Sequence, residues 1–341
     1  MNKQRLTWKK ISLELIRPFR IAYGVATVRD THWIQLEDDS GWGEGVIPSY
    51  YQISNAELYA CWNKASKTDV PFPVSIHQVQ GWIGEEGPGP ARCALELALL
   101  DRIGRIENKP LYQLLDLPDP KKMITSYTIS ISTPQEMAAA ARSLKKYPIL
   151  KIKLGNEEDE ACIAAIREVR PDATIRVDVN GAWDLPTAKK MVRRLAIYNL
   201  DLIEQPLPRG QVTELGILQS TTNIPIVVDE SAQTIDDIHS LGMAGVAGIN
   251  LKLMKVGGVL TALEMIRVAQ EYNMRIMLGC MIETSIGVTA MAHLSGLAEW
   301  IDLDAPLLIK NDPFEGLTYD KHLKISVPAS PGIGVKNRIT V

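Results

Sequence analysis

The chain has 341 residues, 46% of them hydrophobic, and a net charge of −3 with both signs scattered along it. That is enough for a large core, and it excludes both the basic footprint of a nucleic-acid binder and the polybasic strip of a membrane-surface protein. No run of 18 apolar residues occurs, the first residues lack an apolar signal segment, and Cys61, Cys93, Cys162 and Cys280 show no CxxC spacing. A cytoplasmic protein with reduced thiols, acting on small molecules, is the expectation.

In chain order, ISLELI and WIQLED read as strands, SGWGEG as a turn-rich link, and ARCALELALLDRIGRI as a helix, which together make an α+β unit over residues 1–120. From Ser126 the pattern changes to β-rich runs, each followed by a helical segment: SYTISI, ILKIKL, TIRVDV, DLIEQ, IPIVVDE, GINLKL, RIMLGC and WIDLDA. Their polar ends, Lys153, Asp178, Glu204, Asp229, Lys252, Cys280 and Asp304, recur about every 25 residues. Eight such βα units predict an α/β fold with a closed parallel (β/α) barrel over residues 121–315; an open doubly wound sheet is the runner-up. Thr133, Pro134 and Glu136 have the spacing of a helix start with a capping box. Residues 316–341 are expected to return to the N-terminal unit.

In such a barrel the C-terminal strand ends converge on one mouth. Here the third, fourth and fifth strands bring Asp178, Glu204 and Asp229, three hard oxygen donors that would repel one another without a cation and that suit Mg²⁺. Lys151 and Lys153 lie on one face of the second strand, and Lys252 ends the sixth, across the ring. Lys255 competes with Lys252 but is expected in the following loop. Two lysines on opposite faces of a substrate are arranged to move a proton from one side of a carbon to the other. A proton α to a carboxylate is weakly acidic, so its removal needs a stabilised enediolate and a base with a pKa near the working pH. Burial and a neighbouring cation would bring a lysine down to roughly 7 to 8. Asp302 and Asp304 on the last strand, two residues apart on one face, suit an ammonium group, or else a helix cap with a solvated neighbour.

Taken together, LKIKLG, RVDVN, IEQP, VVDES and NLKLMKVGG resemble, in order and spacing, the enolase superfamily and its muconate lactonizing enzyme-like subgroup over essentially the whole chain. The resemblance implies a modified TIM-type barrel with a capping domain, Asp178, Glu204 and Asp229 as Mg²⁺ ligands, Lys153 and Lys252 as acid/base pair, and Lys151 on the substrate carboxylate. IDLDAP is similar to the DxD motif of dipeptide epimerases, in which the aspartates hold the free α-amino group. The same likeness gives Thr128, Cys280 and Ile282 as substrate contacts. It implies a dipeptide substrate and leaves room for a homo-oligomer. Other subgroup activities remain open: muconate cycloisomerase, o-succinylbenzoate synthase and N-acylamino acid racemase, with a non-catalytic binder further off. Ala-Glu epimerases carry an arginine a few residues after a Pro-Phe pair; here Gly24 stands at that place. An uncharged, small or apolar second residue after a small first one is therefore expected, with Ala-Glu the alternative if Arg20 or Arg29 takes the missing role. Tyr50 and Tyr51 are candidates for a loop over the mouth.

Overall fold

The computed structural model describes residues 5–48 and 50–338. Three antiparallel strands, β1 (Leu6–Ile21), β2 (Gly24–Leu36) and β3 (Trp42–Gly45), form an N-terminal sheet in the order β1-β2-β3. The stretch read as a turn-rich link is thus partly a strand, and its glycines have a packing cause. A Cβ at Gly41, Gly43 or Gly45 would fall 2.2, 1.9 and 2.7 Å from the carbonyl oxygens of Ala98, Ala94 and Pro90. Glycine at every second position lets the helix Gly89–Glu107 lie backbone-close on one face of the strand. That helix is buried on nearly every side, between the sheet and the rest of the protein.

The eight predicted strands all form: β4 (Tyr127–Ile129), β5 (Ile149–Lys153), β6 (Thr174–Asp178), β7 (Leu200–Glu204), β8 (Ile226–Val228), β9 (Gly248–Leu251), β10 (Arg275–Gly279) and β11 (Trp300–Asp302). They make one parallel sheet in chain order, β4 beside β5 through to β11. Both faces are covered, which is why the strands read as nearly continuous apolar runs. Leu202, Val227, Met277 and Trp300 form a buried cluster of their own, contributed by β7, β8, β10 and β11. Arg176 on β6 reaches Ile301 O on β11 at 2.8 Å, a bond between strands five places apart in the sheet. The helix Pro134–Ser143 starts with the capping box expected at Thr133 and Glu136.

Side chains join the first and last strands. Ser126 Oγ donates to Asp302 Oδ1 at 2.6 Å, Thr128 N to Asp304 Oδ2 at 2.8 Å, and Leu303 N to Thr125 Oγ1 at 2.7 Å. The N-terminal unit is fastened to the barrel by buried carboxylates that act as helix caps from outside. Glu44 on β3 accepts from Thr284 N (2.9 Å), Thr284 Oγ1 (2.7 Å) and Gly287 N (3.1 Å), at the start of the helix Ser285–Ala292. Glu96 accepts from Leu260 N at 3.0 Å, at the start of Val259–Glu271. Each satisfies amide groups a helix start leaves unpaired. The C-terminal segment meets the N-terminal unit where Ile333 N donates to Asp101 Oδ1 at 2.8 Å. Among the described residues no helix is long and apolar enough to cross a membrane.

Candidate active site

Parallel register puts Lys153, Asp178 and Glu204 in one row across β5, β6 and β7, while Asp229 and Lys252 follow the last residues of β8 and β9. β5 and β9 are four strands apart in the eight-stranded sheet. Lys153 and Lys252 nevertheless line the same cavity, along with Lys151, Thr128, Cys280, Ile282, Asp302 and Asp304. The structure therefore gathers every residue expected to contact substrate. Asp178, Glu204 and Asp229 are fully buried and pair with the lysines that line the cavity.

Ammonium groups stand between these carboxylates. Lys151 Nζ lies 3.0 Å from Asp178 Oδ2, 2.7 Å from Glu204 Oε2 and 2.7 Å from Asp302 Oδ2. Lys153 Nζ donates to Asp178 Oδ2 at 2.6 Å and to Asn180 Oδ1 at 3.2 Å. Lys252 Nζ donates to Asp229 Oδ2 at 2.7 Å. Burial opposes ionisation of Asp178, but Lys151, Lys153 and Lys252 outweigh it and hold the carboxyl below the usual range. Burial likewise opposes ionisation of Asp229, and Lys252 and Lys255 overcome it. Glu204 goes the other way: burial and the neighbouring charge of Asp178 push it up to about 7.

Two of the ammonium groups, on Lys151 and Lys252, stand above the ordinary lysine value. Burial alone would lower Lys151, yet the charges of Asp178, Asp302 and Glu204 raise it well above its ordinary value. Burial pulls Lys252 down too, and Asp229 is the main charge that carries it upward. Around Lys151 and Lys252 the nearby carboxylates outweigh burial.

Among the described residues no three carboxylate, imidazole or thiol groups lie close enough together to hold an ion as they stand. The donor set nevertheless fits Mg²⁺. It is three hard oxygens from adjacent strands, and Glu204 Oε2 accepts no hydrogen bond, its contact being the ion pair with Lys151. Gln205, just beyond Glu204, holds the next donor in place: its Oε1 accepts from Asp229 N at 2.9 Å and Ser231 N at 3.1 Å. Its φ of 35° is a left-handed value unusual for glutamine and sits beside the acid cluster.

The aspartate pair is not a helix cap with a solvated neighbour. Asp304 occupies the cap position of the helix Ala305–Leu308 but makes no capping bond, and both aspartates are buried. Burial and the charge of Asp302 push Asp304 up to about 7. Asp302 is already paired with Lys151, so it is Asp304 that gains most from a cation brought against it. Cys280 is a thiol donating to Asp302 O at 3.3 Å, and Ile282 packs with the patch of Leu13, Leu15, Ala26, Leu308 and Ile309.

Three polar groups of the site, Asn180, Glu230 and Asn250, escaped the sequence, and a fourth, Lys255, was misplaced. Asn180 and Glu230 bond each other at 3.1 Å, two and one residues past the strand-end acids Asp178 and Asp229, and Glu230 is raised to about 7 by burial and by Asp229. Asn250 Nδ2 donates to Glu204 Oε1 at 2.9 Å from inside β9. Lys255, expected in a loop, is on a one-turn helix, Leu253–Val256, and is wholly buried against Asp229. The 25-residue period marks one residue per strand end and passes over residues just beyond it. Tyr50 lines the cavity, its ring 5.3 Å from Tyr23 and 4.8 Å from Tyr51; Ser49 before it lies outside the described residues.

An eight-stranded parallel barrel whose mouth carries acids on three successive strands and lysines on opposite sides defines a class. The chain belongs to the enolase superfamily: residues 135–338 match the family "Enolase C-terminal domain-like". It is 32% identical over 340 residues to the L-Ala-D/L-Glu epimerase of Bacteroides thetaiotaomicron, covering 98% of this chain and 88% of that one. It is 34% identical over 331 residues to the hydrophobic dipeptide epimerase of Roseobacter litoralis, covering 93% and 94%. Among solved structures it is similar to the dipeptide epimerase of Cytophaga hutchinsonii in complex with Mg and D-Ala-L-Val, with a TM-score of 0.91, 29% identity and coverage of 97% and 95%.

Proposed function

We propose that the protein is a Mg²⁺-dependent dipeptide epimerase that inverts the α-carbon of the substrate's C-terminal residue. The observation that carries this is the pair Lys153 and Lys252, on strands four places apart, lining one cavity above buried acids. Asp178, Glu204 and Asp229 would hold the Mg²⁺, which when bound supplies positive charge for the negative charge that develops on the substrate carboxylate. Lys151 holds that carboxylate. One of Lys153 and Lys252 removes the α-proton and the other returns a proton to the opposite face, in either direction. Asp302 and Asp304 hold the substrate's α-ammonium, a group that muconate and succinylbenzoate precursors lack. This favours a dipeptide over the cycloisomerase, synthase and acylamino-acid racemase readings.

For the second residue of the substrate the reading is a small or apolar side chain. Gly24 stands at the exposed hairpin turn with nothing within 4 Å of a would-be Cβ, and the cavity walls include Phe19, Ile21, Ile47 and Leu308. One observation favours the alternative of an acidic side chain. Arg29 on β2, opposite Leu13, lines the same cavity, and among the described residues it has no hydrogen-bond or carboxylate partner. Burial lowers the pKa of its guanidinium. Kinetics on Ala-Ala, Ala-Val and Ala-Glu separate the two: faster turnover of Ala-Ala and Ala-Val is expected. Ala-Glu as the best substrate, with that preference lost in Arg29→Met, would replace the apolar reading with the acidic one. If none of the three exchanges its α-proton, the dipeptide reading itself is in error.

A further inference from the structure

NLKLMKVGG places a second lysine three residues after Lys252. Strand alternation would put Lys255 on the face opposite Lys252, but the chain turns into the helix Leu253–Val256 and brings it beneath the acid cluster. Its side chain is 0% exposed. Its ammonium has three N–H groups and three acceptors: Asp229 Oδ1 at 2.5 Å, Asp229 O at 2.5 Å and Asn250 O at 3.0 Å. No donor is left over.

We propose that Lys255 is a positioning residue that presents Asp229 and Glu204 to the divalent cation. This rests on the Mg²⁺-dependent reading above. By gripping Asp229 at both its backbone carbonyl and one carboxylate oxygen, Lys255 fixes the carboxylate against its own strand. Only Oδ2 faces Lys252, at 2.7 Å, and it is the oxygen that can exchange a lysine for a metal ion. The third bond fixes Asn250, whose side chain holds Glu204 Oε1 at 2.9 Å, so one ammonium orders two neighbouring donors. The turn beneath it is backed by the N-terminal unit. A Cβ at Gly89 would meet Lys255 O at 2.8 Å and Met254 O at 3.1 Å, and Val46 N donates to Met254 Sδ at 3.4 Å. A planar guanidinium cannot satisfy three acceptors in this arrangement, so arginine is not a substitute. Lys252, by contrast, faces the cavity, where Lys255 does not reach.

The test is a Mg²⁺ titration by calorimetry without substrate, on wild type, Lys255→Met, Lys255→Arg and Lys252→Ala. The expected result is at least tenfold weaker Mg²⁺ binding in both Lys255 variants, with Lys252→Ala binding as tightly as wild type or more tightly. A Lys255 that served folding alone would lower the melting temperature of the metal-free protein and leave the Mg²⁺ dissociation constant within threefold of wild type; that result overturns the proposal. If Lys255→Met fails to fold by circular dichroism, Lys255→Gln, which keeps two donors, is expected to lose at least threefold, and unchanged binding there also overturns it. If wild type binds no Mg²⁺, the Mg²⁺-dependent reading falls, and this inference with it.

Discussion

The two sides of the barrel mouth solve one electrostatic problem in different ways. On the β5 side, Lys151 is held by three carboxylates while Lys153 bonds Asp178 and Asn180 and faces the cavity. On the β9 side, Lys255 is held by three oxygens below the mouth while Lys252 bonds Asp229 and faces the cavity. Each side pairs a pinned lysine with one that the proposed function makes the working one. The pinned lysine offsets buried negative charge that would otherwise be costly, which under that proposal leaves the working lysine to take up and release a proton. The sides differ in what pins the lysine: side-chain carboxylates from three strands around Lys151, and mostly backbone of the adjoining strands around Lys255. Removing Lys151 should therefore disturb charge balance across the mouth, and removing Lys255 should disturb the placing of donors.

Breaking the working members has the largest effect. Lys153→Ala and Lys252→Ala are each expected to lower kcat for epimerisation by about 10² to 10⁴-fold, the range of a positioned acid or base, with the fold intact by circular dichroism. Breaking the pinned member on the β5 side comes next. Lys151→Met leaves Asp178, Glu204 and Asp302 without their shared cation and is expected to cost about 3 to 5 kcal/mol in denaturant unfolding of the metal-free protein, with part restored by Mg²⁺. A loss below about 1 kcal/mol would show that Lys151 is not the offsetting charge. The smallest effect sharpens the picture beyond the lysines. Asp304→Asn removes one charged acceptor from the proposed ammonium site, and a charged hydrogen bond contributes about 1.5 to 3 kcal/mol, so kcat/KM should fall about tenfold to a hundredfold. The same substitution should leave an N-acylated substrate analogue, which has no ammonium, unaffected.

This asymmetry also explains what could be read from the sequence. Lys151 and Lys153 share a face because strand residues two apart always do, so their juxtaposition was legible from LKIKLG alone. Lys252 and Lys255 meet the same acid only because a strand ends and one helical turn begins between them, a switch in period that three residues cannot announce. The eight strands and their order were legible because β-rich runs alternate with helical ones and the last seven end in residues on a regular period. SGWGEG was misread because glycine pointed to turns, whereas here it clears space for the helix Gly89–Glu107. The clasps formed by Glu44 and Glu96 join residues 240 and 164 positions apart, and nothing local marks either acid as a cap.

The central claim is that Lys153 and Lys252 serve opposite faces of one carbon. It is tested most directly by following α-deuterium incorporation into both epimers of an Ala-Xaa dipeptide in D₂O with Lys153→Ala and with Lys252→Ala, using mass spectrometry and NMR. The account predicts that each variant exchanges the α-proton of one epimer only, the two variants favouring opposite epimers, while neither interconverts them. Both variants exchanging the same epimer, or Lys153→Ala epimerising normally, would contradict it.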